Sequence, residues 1–218
     1  MNELIHLMRT TGSPRYFTDE DVSDEVILQA IEAARFAPSG GNRQPVRWIV
    51  VRDGQIRRAL AELYLPLWQR DMAAFLSGEM RSGAATLGPA VRAANDFAES
   101  FGNVPVILVA CVVEADLHVH MKDSAGHPNF LGGSSVYTFV QNACLALRSL
   151  GVGATITTLI CEREAEAAQL LGIPDGMRSA CHIAVGYPAG GFPTTLTRLD
   201  VEALVSYDRY SDAPPPDL

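Results

Sequence analysis

The segment Val106–Val113 (VILVACVV) is eight consecutive apolar residues, four of them valine. It is far too short for a membrane span, which needs ~20 apolar residues. It is also too rich in β-branched side chains for a helix of that length. The run predicts a strand buried on both faces. Such a strand needs cover on each side, so the rest of the chain has to supply it.

Two segments have the pattern of covering helices. In Ser23–Arg35, Ser23 is a natural N-cap, and Ile27, Ala30, Ile31 and Ala34 recur at helical spacing. Pro38 closes it, because proline disfavours helical geometry in the residue before it. From Ser134, the residues Val136, Phe139, Val140, Ala143, Leu147 and Leu150 fall on one broad face, with Gly151 as the stop. Further strands are predicted at Trp48–Val51, Val152–Leu159 and Cys181–Tyr187, and a short helix at Glu162–Leu171. Residues 55–101 read as helical material broken at Pro66, Gly78 and Pro89, a possible lid. Strands alternate with helices without strict βαβ spacing, which predicts an α+β fold rather than a doubly wound sheet.

At 218 residues, the chain is expected to form one domain over 1–211, with 212–218 (DAPPPDL) as a frayed tail. The 17 basic against 25 acidic residues leave a net charge of −8, which argues against nucleic acid or anionic membrane as general partners. Glu3 and His6 interrupt any signal-peptide core at the N-terminus. The four cysteines (Cys111, Cys144, Cys161 and Cys181) lack CxxC spacing. They read as thiols in a reducing compartment, and the protein as cytoplasmic.

Several segments carry groups suited to chemistry. Arg9–Phe17 (RTTGSPRYF) offers two guanidiniums, three hydroxyls and a glycine, a set suited to phosphate oxygens and equally to a solvated turn. The loop Ser39-Gly40-Gly41-Asn42-Arg43-Gln44-Pro45 has two glycines that permit close backbone approach to a ligand. Ser39, Asn42 and Gln44 would sit beside that backbone, although turn residues are ordinary in any connector. Gly151–Thr158 is no dinucleotide fingerprint, since it follows a helix instead of opening one. Thr157 and Thr158 either present backbone N–H groups at a strand end or are simply good strand formers. His118 and His120, with Asp116 and Asp123 nearby, lack zincin spacing, and no metal is expected. There is no G-x-S-x-G elbow, and no catalytic side chain is nominated.

Taken together, these segments resemble the nitroreductase family of flavin enzymes. The resemblance rests on Ala33–Val51 (AARFAPSGGNRQPVRWIVV), with its A-P-S, N and Q-P in order before a strand. It rests also on Ser13-x-Arg15 closing at Phe17, on Gly186-Tyr187-Pro188, on Arg198 ahead of Glu202, and on the helix Val136–Leu150. It implies a mixed, mainly antiparallel central sheet flanked by helices, and an intertwined homodimer with FMN at the subunit interface. Carried over by position, Ser13 and Arg198 would contact the phosphate, and Arg15 the pyrimidine edge of the flavin. Pro38, Ser39, Gly40 and Asn42 would line the ring, with Gln44 a further candidate, and Thr157 and Thr158 would lie near N5. The implied activity is reduction of nitroaromatics, quinones or similar planar acceptors by NADPH or NADH, through ping-pong hydride transfer at N5. A specialised dehydrogenase or dehalogenase of the same fold, and a flavin-binding or storage protein without turnover, are the alternatives. Two departures stand out. Thr11 and Gly12 occupy places where the family carries arginine, with Arg9 two residues upstream of Thr11, and Val46 stands where tryptophan is common.

Overall fold

A computed structural model describes residues 2–79, 88–117, 126 and 131–210. Four strands form one sheet: β1 (Val46–Val51), β2 (Val106–Val113), β3 (Gly153–Thr157) and β4 (Met177–Gly186). They lie in the order β1-β2-β4-β3, and every pairing is antiparallel. β2 is buried along its whole length but for the partly buried Val113. Because side chains alternate across a strand, Val106, Leu108, Ala110 and Val112 face one way, and Ile107, Val109 and Cys111 the other.

Each side has its own cover. The first face packs against α2 (Asp24–Ala34) through Ile27 and Ala30, and against α5 (Tyr137–Ser149) through Val140, Cys144 and Leu147. The opposite face packs against α3 (Gly54–Ser77), α4 (Pro89–Ser100) and α6 (Glu164–Leu171) through Leu60, Phe97 and Ala167. Ser23 caps α2 as expected, its Oγ accepting from Val26 N.

The structure differs from the sequence reading in four places. Helix α3 runs straight through Pro66. A proline costs a helix interior ~3 kcal/mol, but Leu60, Tyr64 and Leu67 on either side of it are buried, the first two in the core beneath the sheet, and hold the helix together. Gly78 and Pro89 do mark ends, as the left-handed cap of α3 and the first residue of α4. β3 stops at Thr157, where Thr157 Oγ1 accepts from Leu159 N and the chain turns into a short 3-10 helix, so α6 begins only at Glu164. β4 starts earlier than its apolar core, because Met177–Ser179 pair with the end of β2. Finally, an unforeseen helix α1 (Glu3–Thr10) opens the fold. Its apolar residues Leu4, Ile5 and Met8 are about half exposed, so no internal partner gives it a legible core face.

The four cysteines are free, and burial pushes Cys144 and Cys181 up to about 12 and Cys111 up to about 11. Thiols held protonated in this way are poor nucleophiles. No helix among the described residues is long and apolar enough to cross a membrane. No group of three metal-ligating side chains comes together among them, and His118, His120, Asp123 and the 212–218 tail lie outside the described residues.

Candidate active site

The segment carrying Ser13 and Arg15 is strapped to the sheet. Tyr16 O accepts from Ala189 N at 3.0 Å, Tyr187 O accepts from Thr18 N at 2.8 Å, and Phe17 bridges Pro188. Pro14 can lie on β3 only because residue 153 is glycine: a Cβ there would come within 2.6 Å of the Pro14 ring. This strap delivers Arg15 to the edge of a cleft of about 540 Å³ between the sheet, α3 and α4.

Arg15, Thr157 and Thr158, all nominated from sequence, line this cleft together. The Arg15 guanidinium sits 5.3 Å from the Phe97 ring centroid and pairs with no carboxylate among the described residues. Burial lowers its pKa, opposed only by the neighbouring Tyr64. The remaining wall is mostly apolar: Trp68, Met72 and Phe75 project from one face of α3, opposite Val91 and Phe97 of α4. Sequence reasoning missed these residues because it read 55–101 only as broken helical material, a possible lid. The signal was present as Tyr64, Trp68, Met72 and Phe75, whose spacing of four, four and three places them on one helical face.

The Pro38–Gln44 loop lies elsewhere. Ser39 and Gln44 line a separate hollow of about 260 Å³ beside Trp48, Ser135 and Phe139, sharing no residue with the cleft. Gly41, Asn42 and Gln44 all adopt left-handed φ, whereas of the two glycines only Gly41 does so. Ser39 Oγ accepts from Gln44 N at 3.1 Å, and Ser135 Oγ accepts from Gly40 N at 3.0 Å, so these hydroxyls hold the loop's shape. Pro38, Gly40 and Asn42 are exposed. Within one chain, therefore, the loop and the cleft do not meet.

Ser13 and Arg198 are exposed and line neither hollow. Their chain neighbours do touch, since a Cβ at Gly12 would meet Pro193 at 2.9 Å and Leu196 at 3.3 Å. Arg198 Nη1 donates only to Thr197 O. Arg9 is exposed on the last turn of α1. Arg148 lies beside these neighbours, 3.7 Å from the Phe192 ring centroid and donating to Thr10 Oγ1 at 3.4 Å.

The Nitroreductase family profile matches residues 8–187, which include the strap, both hollows and the whole sheet. The chain belongs to the nitroreductase family. One family relative, from Archaeoglobus fulgidus and provisionally named an NADH dehydrogenase/NAD(P)H nitroreductase, is 28% identical over 190 residues, covering 86% of this chain and 87% of its own. An FMN reductase [NAD(P)H] of Bacillus subtilis is 41% identical over 63 residues, 29% of this chain and 25% of that protein. Among solved structures, the NADPH:FMN oxidoreductase of Vibrio harveyi complexed with NAD+ superposes with a TM-score of 0.69 at 22% identity, over 98% of this chain and 80% of that one. A provisionally named nitroreductase of Desulfovibrio desulfuricans in complex with FMN gives 0.64 at 24% identity, over 97% of this chain and 99% of that one. The nitroreductase fold thus accounts for the α+β architecture and its antiparallel sheet.

Proposed function

We propose that this chain is an FMN-dependent oxidoreductase that uses NADPH or NADH to reduce nitroaromatics, quinones or similar planar acceptors. The observation that carries the reading is Arg15, a desolvated guanidinium with no carboxylate partner among the described residues, on the wall of a mostly apolar cleft. A buried cation without a counter-charge is costly. Its complement is a flat, largely apolar ligand with an electron-rich edge, and a tricyclic flavin has that character.

FMN bound here would supply the hydride transfer between nicotinamide and acceptor, and its pyrimidine edge would be the electron-rich part that faces Arg15. Arg15 holds a fixed positive charge for that edge, a preorganised donor where charge develops. Thr157, which ends β3, and Thr158 after it would face the flavin ring. Ser13 and Arg198 hold the phosphate, with Arg148 adding positive potential beside Thr10 in place of the arginines missing at Thr11 and Gly12. The protein binds, orients and excludes water, while the cofactor supplies the redox chemistry. Donor and acceptor alternate in one place, giving ping-pong kinetics.

The Pro38–Gln44 loop reaches the ring from a second copy. The separation of loop and cleft within one chain supports a homodimer, as do two exposed apolar surfaces: Leu4, Ile5 and Met8 on α1, and Val201, Leu204, Val205, Tyr207 and Tyr210 near the C-terminus. Four free thiols suit a cytoplasmic enzyme.

Anaerobic titration of FMN-loaded protein with each nicotinamide tests the reading. Bleaching of the oxidised-flavin bands, followed by reoxidation with quinone or nitroaromatic, is expected. Bound FMN that neither nicotinamide reduces would favour the storage or dehydrogenase alternatives, and failure to bind FMN would reject all of them.

A further inference from the structure

Tyr64 has no place in the function as described so far, yet it lies at the deep end of the same cleft. It is only 3% exposed, its ring packed 4.9 Å from Phe101 and 6.4 Å from Trp68, centroid to centroid. A phenylalanine would make those ring contacts equally well, so packing does not explain the hydroxyl. Buried tyrosine hydroxyls ordinarily find a partner. Tyr137 donates to Ala180 O and Tyr16 to Asp96 Oδ2, while the Tyr64 hydroxyl meets the hydroxyl of Thr157 at the cleft wall.

Its neighbours sharpen the point. The Tyr64 phenol lies beside Thr157 and the Arg15 guanidinium, both of which also line the cleft. Thr157 Oγ1 already accepts from Leu159 N at 3.4 Å, and a guanidinium accepts nothing. Burial raises the pKa of the phenol, which keeps its proton at neutral pH. Two groups able to donate, the phenol and the guanidinium, therefore converge at one end of a mostly apolar cleft, with the Thr157 hydroxyl beside them. The missing complement is an oxygen that is, or becomes, negatively charged.

We propose that the Tyr64 hydroxyl donates a hydrogen bond to the carbonyl edge of the flavin pyrimidine ring, alongside Arg15, and binds the reduced cofactor more tightly than the oxidised one. This inference rests on the FMN reading above. A hydrogen bond to a charged acceptor is the stronger kind, so the contact counts for more once charge has arrived.

The test is Tyr64→Phe in full-length protein, with oxidised-FMN affinity and midpoint potential as readouts independent of turnover. Oxidised FMN is expected to bind within about threefold of wild type. The reduced form is expected to bind roughly tenfold more weakly, lowering the potential by about 30 mV for a two-electron couple. A Y64F protein whose flavin has the wild-type potential would overturn the assignment, as would an effect confined to acceptor KM. Should Y64F fail to fold, 3,5-difluorotyrosine at position 64, a stronger donor of nearly the same shape, is expected to raise the potential, and no change would again overturn it. Wild-type protein that binds no FMN would instead refute the cofactor reading on which this rests.

Discussion

The Thr155 hydroxyl donates to the Pro14 carbonyl at 2.5 Å, joining the middle of β3 to the segment that carries Ser13 and Arg15. Thr155 is 1% exposed, so its loss leaves the Pro14 carbonyl without that donor in a closely packed place. Thr155→Val, nearly isosteric, is expected to cost about 1–2 kcal/mol of stability. That corresponds to roughly 2–8 °C in Tm for a chain of this size. If the bond positions the strap for the cofactor, FMN affinity measured by fluorescence quenching falls as well. A protein that loses stability and keeps its FMN affinity would show that the bond serves the fold alone.

Removing Arg15 is expected to separate binding from stability. Burial disfavours the charged guanidinium, and no ion pair repays that cost. Arg15→Met keeps the stem over Phe97 and removes the charge. Without FMN, the variant is expected to unfold at the same urea concentration as wild type or higher. With FMN, it is expected to bind roughly ten- to hundredfold more weakly, the loss of a charge-assisted contact. Reduced stability with unchanged FMN affinity would assign Arg15 to structure.

Arg198 makes a different case, because its side chain is exposed and donates only to its neighbour's carbonyl. Arg198→Ala is expected to leave the melting temperature unchanged while weakening FMN about tenfold. Riboflavin, which lacks the phosphate, is expected to bind both proteins alike. A loss of riboflavin affinity equal to that for FMN would move Arg198 away from the phosphate.

How far the sequence could be read follows from where each residue's partner lies. β2 was legible because its own side chains alternate between two apolar faces, and α2 and α5 because their stripes meet that sheet. α1 was not, since Leu4, Ile5 and Met8 stay about half exposed and leave the helix without a clear core stripe. α3 misled through Pro66, whose local penalty is overridden by buried residues on either side. At the site, Arg15, Thr157 and Thr158 were nominated and do share a cleft. The rest of that cleft was hidden in α3, whose aromatic face resembles an ordinary core stripe. Ser39 was nominated from its loop and Arg198 by resemblance, and a single chain leaves both apart from that cleft.

The exposed apolar side chains near the C-terminus bear on assembly. Val201 is 67% exposed, Leu204 65% and Tyr207 86%, which is unusual for three large apolar side chains within seven residues. If they pack on a second copy, Leu204→Glu places a charge in that interface, and sedimentation is expected to show a shift toward monomer at micromolar concentration. FMN affinity is expected to fall in parallel if, as proposed, the loop that completes the site comes from the partner. A variant that sediments like wild type would remove this segment from the interface.

His182 governs a pH dependence that involves neither cofactor nor partner. It is fully buried on β4, and neither ring nitrogen has a hydrogen-bond partner among the described residues. Its cross-strand neighbours, Val109 on β2 and Thr157 on β3, offer no counter-charge. Burial lowers its pKa from 6.5 to about 4, so the native imidazole stays neutral. The unfolded chain takes up a proton below 6.5, and the native chain does so only near 4. Stability from this group is therefore complete above pH 6.5 and declines as pH falls toward 4, by an amount on the order of 3 kcal/mol. His182→Leu fills similar volume without polar atoms. It is expected to be at least as stable as wild type at pH 7, and to gain on wild type steadily between pH 6.5 and 4 in urea denaturation. Parallel stability profiles for the two proteins across that window would show that His182 is hydrogen-bonded or protonated in the native state.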